Sequence, residues 1–311
     1  MAEKSAAPRF SFMGDSISTF EGCNPAGFDV FYEGDRCART GVENRRDTWW
    51  QQVVEHFGGT VAVNGSFSGS MVEGAGFPAA SSGQRVDALG SSSASPDAIV
   101  VFIGINDYGW GGPEAQAHGA GRATPACSCV EEAERRVAAL APLDAADRFG
   151  KAYDSMLGRI GSAYPASDVW CCTLCPGRVA GAVRSTFIRR LRGVPFDSYN
   201  EAIRAAASRN GCRLIDFAAY GLDYEAADGT HPTARGMRQL SAMAICSMEE
   251  QGAFGGVVTQ RARDRFEEAF SSCDMTSESC CDKRSCIGCP FARGTGNTWS
   301  LVCEKPLRSR S

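Results

Sequence analysis

Phe10-Ser11-Phe12-Met13-Gly14-Asp15-Ser16-Ile17-Ser18 reads as a strand that runs straight into a tight turn. Phe10, Phe12 and Met13 suit a buried strand, and Gly14 frees the backbone to turn sharply. Asp15 and Ser16 then stand at the strand's C-terminal end. A serine placed there can aim its hydroxyl and its own N–H into one cleft. By itself Gly-Asp-Ser is common loop chemistry, because Asp and Ser also cap helices.

Four more short apolar runs bounded by turn residues follow, at 60–63, 98–103, 169–173 and 213–215. Segments between them carry helical spacing. Residues 48–57 align Trp49, Val53, Val54 and Phe57, and 145–164 repeat Phe149, Tyr153, Met156, Leu157 and Ile160. Residues 198–210 contribute Tyr199, Ile203 and Ala206, and 233–250 contribute Met237, Leu240, Met243 and Ala244. Five buried-looking strands, each followed by a helix or a long loop, predict an α/β fold with a parallel sheet covered on both faces. Two glycine-rich stretches, 18–46 and 109–143, break this rhythm. Both leave strand C-termini, where parallel sheets hold their ligands. They read either as walls of a site or as surface insertions without a role.

The chain has 311 residues, enough for one domain of about 200–250 residues with an appendage, or for two ordinary domains. An apolar fraction of 43% and a charged fraction of 22% are those of a globular protein. A net charge of −4, with no long basic run, argues against nucleic acid or an anionic membrane surface as a partner. The first apolar run is too short for a secretory signal, and no segment approaches the ~18 apolar residues of a membrane helix. The expectation is a cytoplasmic protein. Fifteen cysteines pull the other way, and their odd number leaves at least one outside any disulfide framework. In a reducing cytosol most are expected to be free thiols or metal ligands.

Three further stretches carry chemistry. Residues 62–70, AVNGSFSGS, run from a strand into a loop with Gly65 and Gly69, where a backbone N–H can approach a ligand closely. Residues 100–109, VVFIGINDYG, end a fully apolar strand at Asn106 and Asp107. The Asn106 carboxamide suits donation to an oxyanion, whereas Asp107 suits capping or bracing. Residues 228–232, DGTHP, place Asp228 three residues before His231, with Pro232 expected at the first position of the last helix of the α/β body. A turn of that length can bring a carboxylate onto Nδ1 of the imidazole and leave Nε2 for a serine. Of the three histidines, His56 falls in a helix and His118 in a loop, so His231 is the candidate base.

In order and placement these four elements resemble the blocks of the SGNH, or GDSL-type, hydrolases: Gly-Asp-Ser, a loop glycine, Gly-x-Asn-Asp and Asp-x-x-His. The resemblance covers roughly residues 9–250. It looks closest to cytoplasmic bacterial members whose first block reads GDSIS and precedes a long loop and a tryptophan-bearing helix, here Asp47-Thr48-Trp49-Trp50. It implies a flavodoxin-like three-layer sandwich, five parallel strands in the order 2-1-3-4-5, and an esterase or acyl-hydrolase activity. It implies Ser16 as nucleophile and His231 as base, oriented by Asp228. The oxyanion hole would be the Ser16 N–H, the Gly69 N–H and the Asn106 side chain, with Asp15 and Asp107 supporting the loops. Gly69 is preferred to Gly65 because the family's block ends in a Ser-Gly step like Ser68-Gly69. No cofactor is required for such hydrolysis, and the expected partner is an ester of a small molecule, lipid or carbohydrate. Acyl transfer on the same triad, or a binding protein with an idle triad and a working cysteine-rich tail, are the alternatives. Phe20, Phe28, Phe31, Tyr32, Tyr108 and Trp110 either line an apolar or sugar-stacking pocket or merely pack the two loops.

The hydrolase domain is expected to span 1–252. Residues 253–311 form an extension, with one more helix at 255–270 and a tail holding Cys273, Cys280, Cys281, Cys286, Cys289 and Cys303. Cys286-x-x-Cys289 has the spacing of zinc sites, but adjacent Cys280 and Cys281 rarely ligate one ion. A structural zinc, an iron–sulfur cluster, disulfides and free thiols all fit the pattern. Cys127 and Cys129 sit in the loop beyond Asn106. Cys171 and Cys172 read as buried strand residues, small hydrophobes in effect, with Cys175 in reach of the cleft.

Overall fold

All five residues of Ala98–Phe102 are buried in the computed structural model, as a strand's residues must be when helices cover both faces of its sheet. The structure describes residues 7–90, 95–113, 116, 144–182, 185, 187–255, 259–271, 292–294 and 301–303. Ala98–Phe102 is β3 of a five-stranded parallel sheet with β1 (Arg9–Gly14), β2 (Thr60–Asn64), β4 (Asp168–Cys172) and β5 (Arg213–Ile215). Strand order is β2-β1-β3-β4-β5, the order expected from the sequence. In β1, Phe10 and Phe12 turn to one face, where they meet Trp49, Trp50 and Phe57. Ser11 turns to the other and donates its hydroxyl to the Leu89 carbonyl at 2.6 Å. This is the strand period of two at work.

The helices form two layers. On one side α1 (Trp49–His56) packs on α4 (Ala234–Glu250), and α4 on α5 (Gln260–Phe270); on the other α2 (Ala145–Ala163) packs on α3 (Phe196–Arg209). Phe149, Tyr153, Met156, Leu157 and Ile160 of α2 are all buried, as their spacing predicts. Each such side chain removed from water contributes roughly 1.5–3 kcal/mol, so these stripes outweigh any single cap or ion pair.

Two expectations need correction. β2 is not buried throughout: it is an edge strand, exposed or half-exposed over its first four residues, because only one side has a strand neighbour. Pro232 does not open α4. Thr233 is the N-cap, accepting the Gly236 N–H at 3.2 Å, and the helix begins at Ala234. Pro232 is instead bridged antiparallel to Ala226. A threonine oxygen there satisfies a free helical N–H, worth about 1 kcal/mol, which proline could not do.

The helix expected over 255–270 begins later, at Gln260, because Thr259 is its extended N-cap; as α5 it buries Ala262, Phe266, Ala269 and Phe270. In the tail, Ala292–Gly294 pairs antiparallel with Leu301–Cys303. Cys273, Cys280, Cys281, Cys286 and Cys289, the side chain of Cys303, and His118, Cys127 and Cys129 lie outside the described residues. Among the described residues no helix is long and apolar enough to cross a membrane, and no group of three or more His, Cys, Asp or Glu is placed to hold a metal ion. Cys175 is buried and directs its thiol to the Leu222 carbonyl at 3.4 Å rather than into a cleft.

Candidate active site

The C-terminal end of β1 delivers Ser16. A Cβ on Gly14 would lie 2.7 Å from Ser66 Oγ and 2.9 Å from the Ser18 side chain, so the close approach of these loops requires glycine there. Asp15 caps the short 3-10 turn Ser16–Ser18, taking the Ile17 N–H on Oδ1 at 3.0 Å. The Ser16 carbonyl accepts the Thr19 hydroxyl at 3.0 Å. Beneath the turn lies Arg85, wholly buried, which donates to the Gly14 carbonyl at 2.9 Å and the Pro78 carbonyl at 2.6 Å. Burial lowers the Arg85 guanidinium to about 10, although the Asp15 carboxylate pulls the other way. Nothing in the residue pattern singled out Arg85, since a lone arginine in a polar stretch reads as solvated.

The turn before α4 delivers Asp228 and His231. Asp228 Oδ1 accepts the N–H groups of Thr230 at 3.0 Å and His231 at 2.8 Å, while Oδ2 lies 2.7 Å from His231 Nδ1. An ionised carboxylate has no proton to give, so Nδ1 carries the hydrogen and Nε2 is left as an acceptor. Nε2 lies 3.0 Å from Ser16 Oγ. Burial pushes the Asp228 carboxyl up, but its bonds to the His231 ring and to the two N–H groups outweigh this and hold it well below the usual carboxylate range. The turn is pinned from outside by the Tyr224 hydroxyl on the Thr230 carbonyl (2.6 Å), the Tyr32 hydroxyl on the Pro232 carbonyl (2.8 Å) and the Ala227 N–H on the His231 carbonyl (2.8 Å). Tyr32 is thus packing, not pocket lining, and so is Tyr108, buried with its hydroxyl on the Ile188 carbonyl.

The ends of β2 and β3 supply Gly69 and Asn106. Gly69 has φ +79°, a conformation that favours glycine, and open space where a Cβ would stand. Asn106, fully buried, gives one amide hydrogen to the Ser70 carbonyl at 2.9 Å, which holds its carboxamide beside the residue that follows Gly69. Asp107 braces the same loop, accepting the N–H groups of Val72 (2.9 Å) and Glu73 (3.0 Å). His56 is spent elsewhere, 2.7 Å from Glu249 Oε1 on α4. A cavity of about 700 Å³ opens beyond the Glu73 loop, beside Arg148 and Arg159, and includes none of Ser16, Asp228 or His231.

Burial raises the Asp107 carboxyl to about 8, against the N–H bonds from Glu73 and Val72 and with help from the Glu73 carboxylate. A carboxyl that keeps its proton in the fold but loses it on unfolding makes the protein less stable as pH rises from about 4 toward 8. Asp107→Asn, which cannot ionise, should therefore gain on the wild type as pH rises. Urea midpoints at pH 5 and pH 8 check this, and a constant gap between the two proteins would contradict it.

The sheet thus carries a serine, an imidazole and a carboxylate together at its strand ends. Residues 12–239 match the family model of the GDSL-like lipases and acylhydrolases. The chain belongs to that family, whose members hydrolyse ester bonds. A protein from Bacteroides ovatus, described as a GDSL-like lipase, is 22% identical with a TM-score of 0.52, over 79% of this chain and 99% of its own. A second, from Bacteroides uniformis and described in the same way, is 21% identical with a TM-score of 0.48, over 77% and 94%. No curated protein matches the sequence.

Proposed function

We propose that the protein is a serine esterase in which Ser16 attacks the ester carbonyl, His231 takes the serine proton and Asp228 holds the imidazole. The unbroken chain from Ser16 Oγ to His231 Nε2 (3.0 Å) and from Nδ1 to Asp228 (2.7 Å) carries the reading. Serine is a weak nucleophile at neutral pH and needs such a base. His231 then returns the proton to the departing alcohol, leaving an acyl group on Ser16 that water removes by the same route in reverse. The Ser16 and Gly69 N–H groups and the Asn106 amide would take up charge on the carbonyl oxygen as it develops. Support for the last two is their neighbouring placement at the ends of β2 and β3. No step calls for a metal or organic cofactor. A cytoplasmic setting belongs to the same reading, in keeping with free thiols at the seven cysteines whose side chains are described.

Asn106→Ala should lower kcat by roughly 10²–10³ with little change in KM, the loss typical of one oxyanion donor. A raised KM with kcat intact would remove Asn106 from that role. The activity itself is tested by steady-state kinetics on p-nitrophenyl esters of increasing chain length beside acetylated sugars. Saturable turnover of at least one ester is expected, and inertness toward all of them would count against the proposal.

A further inference from the structure

Phe31, on the long excursion after β1, lies face to face with the catalytic-site imidazole: the Phe31 and His231 rings are 3.5 Å apart between centroids and only 4° from parallel. The imidazole is hinged on its Cβ–Cγ bond, and hydrogen bonds tolerate angular deviations of tens of degrees. The contacts at Nδ1 and Nε2 therefore leave the His231 ring some room to rock about that bond. A flat surface at van der Waals distance removes that freedom.

The Phe31 ring is itself held. Tyr32 meets it edge-on at 5.0 Å, and the Arg36 guanidinium stands 5.2 Å from its centroid. The Tyr32 hydroxyl reaches the Pro232 carbonyl, next to His231 in the chain. The Phe31 N–H donates to Thr19 Oγ1 at 2.9 Å, and that hydroxyl donates to the Ser16 carbonyl. One short segment therefore grips the nucleophile's turn through its backbone and the base's turn through its side chains.

We infer that Phe31 is a positioning residue, a flat plate that limits the rocking of the His231 ring so that its Nε2 lone pair stays aimed at Ser16 Oγ. The inference rests on the esterase reading of the same site. A misaimed lone pair weakens proton removal in the transition state but not ground-state binding, so the loss should fall on kcat.

The test uses the full chain and two variants. Phe31→Leu keeps an apolar side chain but loses the flat face, and Phe31→Tyr keeps the face. Phe31→Leu should reduce kcat by roughly 10- to 100-fold with KM nearly unchanged, while Phe31→Tyr retains most of it. Ring-proton NMR signals of His231 should be displaced upfield in the wild type and in Phe31→Tyr, and return toward ordinary histidine positions in Phe31→Leu. Near-wild-type kcat in Phe31→Leu, or equal losses in both variants, would overturn the assignment, as would an undisplaced His231 signal in the wild type, which needs no variant to fold. A wild type that hydrolyses no ester would instead sink the esterase reading and this inference with it.

Discussion

Ser16→Ala should leave the fold intact and remove ester turnover, lowering kcat by roughly 10⁶. The fold survives because the Ser16 hydroxyl is not a structural strut: the turn is held by the Asp15 side chain on the Ile17 N–H, the Thr19 hydroxyl on the Ser16 carbonyl and Arg85 on the Gly14 carbonyl. None of these uses Oγ. Activity goes because Ser16 Oγ is the hydroxyl set against His231 Nε2, at 3.0 Å. Activity near wild type in Ser16→Ala, with an unchanged unfolding midpoint, would refute the nucleophile.

Asp228→Asn is expected to have the next largest effect, lowering kcat by roughly 10⁴. The carboxylate accepts three hydrogens, from the Thr230 N–H, the His231 N–H and His231 Nδ1. An asparagine oxygen can keep the two backbone bonds, but its NH₂ then faces Nδ1 and favours the tautomer with the hydrogen on Nε2. That tautomer cannot accept the serine proton. Asp228→Ala should cost less, because it imposes no wrong tautomer. An asparagine variant more active than the alanine variant would contradict this account of Asp228.

The depressed Asp228 carboxyl also carries a sign. A carboxylate held below its unfolded range stabilises the fold at neutral pH, and that contribution is lost as pH falls below about 4. Its side chain is 53% exposed, so solvent screens the pairing and the effect on stability should be small.

The fold was legible in the sequence where burial is two-sided. β3 reads as an uninterrupted apolar run because helices cover both its faces, and α2 announces itself through five apolar residues at helical spacing. Legibility weakens at the edges. β2 carries a similar apolar run but spends its first four residues partly in solvent, and local composition does not reveal which strands lie outermost. Pro232 misled for a related reason: a proline suits the first helical position, but the neighbouring Thr233 side chain decides where the helix starts.

For the site, motif spacing sufficed wherever partners are close in the chain. Asp228 and His231 lie within one turn, so their pairing could be read directly. Asp107 was expected to cap or brace a loop, but not which one, because the N–H groups of Val72 and Glu73 lie about 35 residues away. Arg85 and the stacking role of Phe31 left no local trace. Each depends on contacts across long stretches of chain, Arg85 with Gly14 and Phe31 with His231.

In the proposed reaction Ser16 is the residue that becomes covalently acylated. Treating the full-length protein with a fluorophosphonate and mapping the modified peptide by mass spectrometry tests it most directly. A single adduct on the peptide carrying Ser16, formed far more slowly in His231→Ala, is the predicted result. An adduct at a different serine, or none under conditions where the protein hydrolyses an ester, would contradict it.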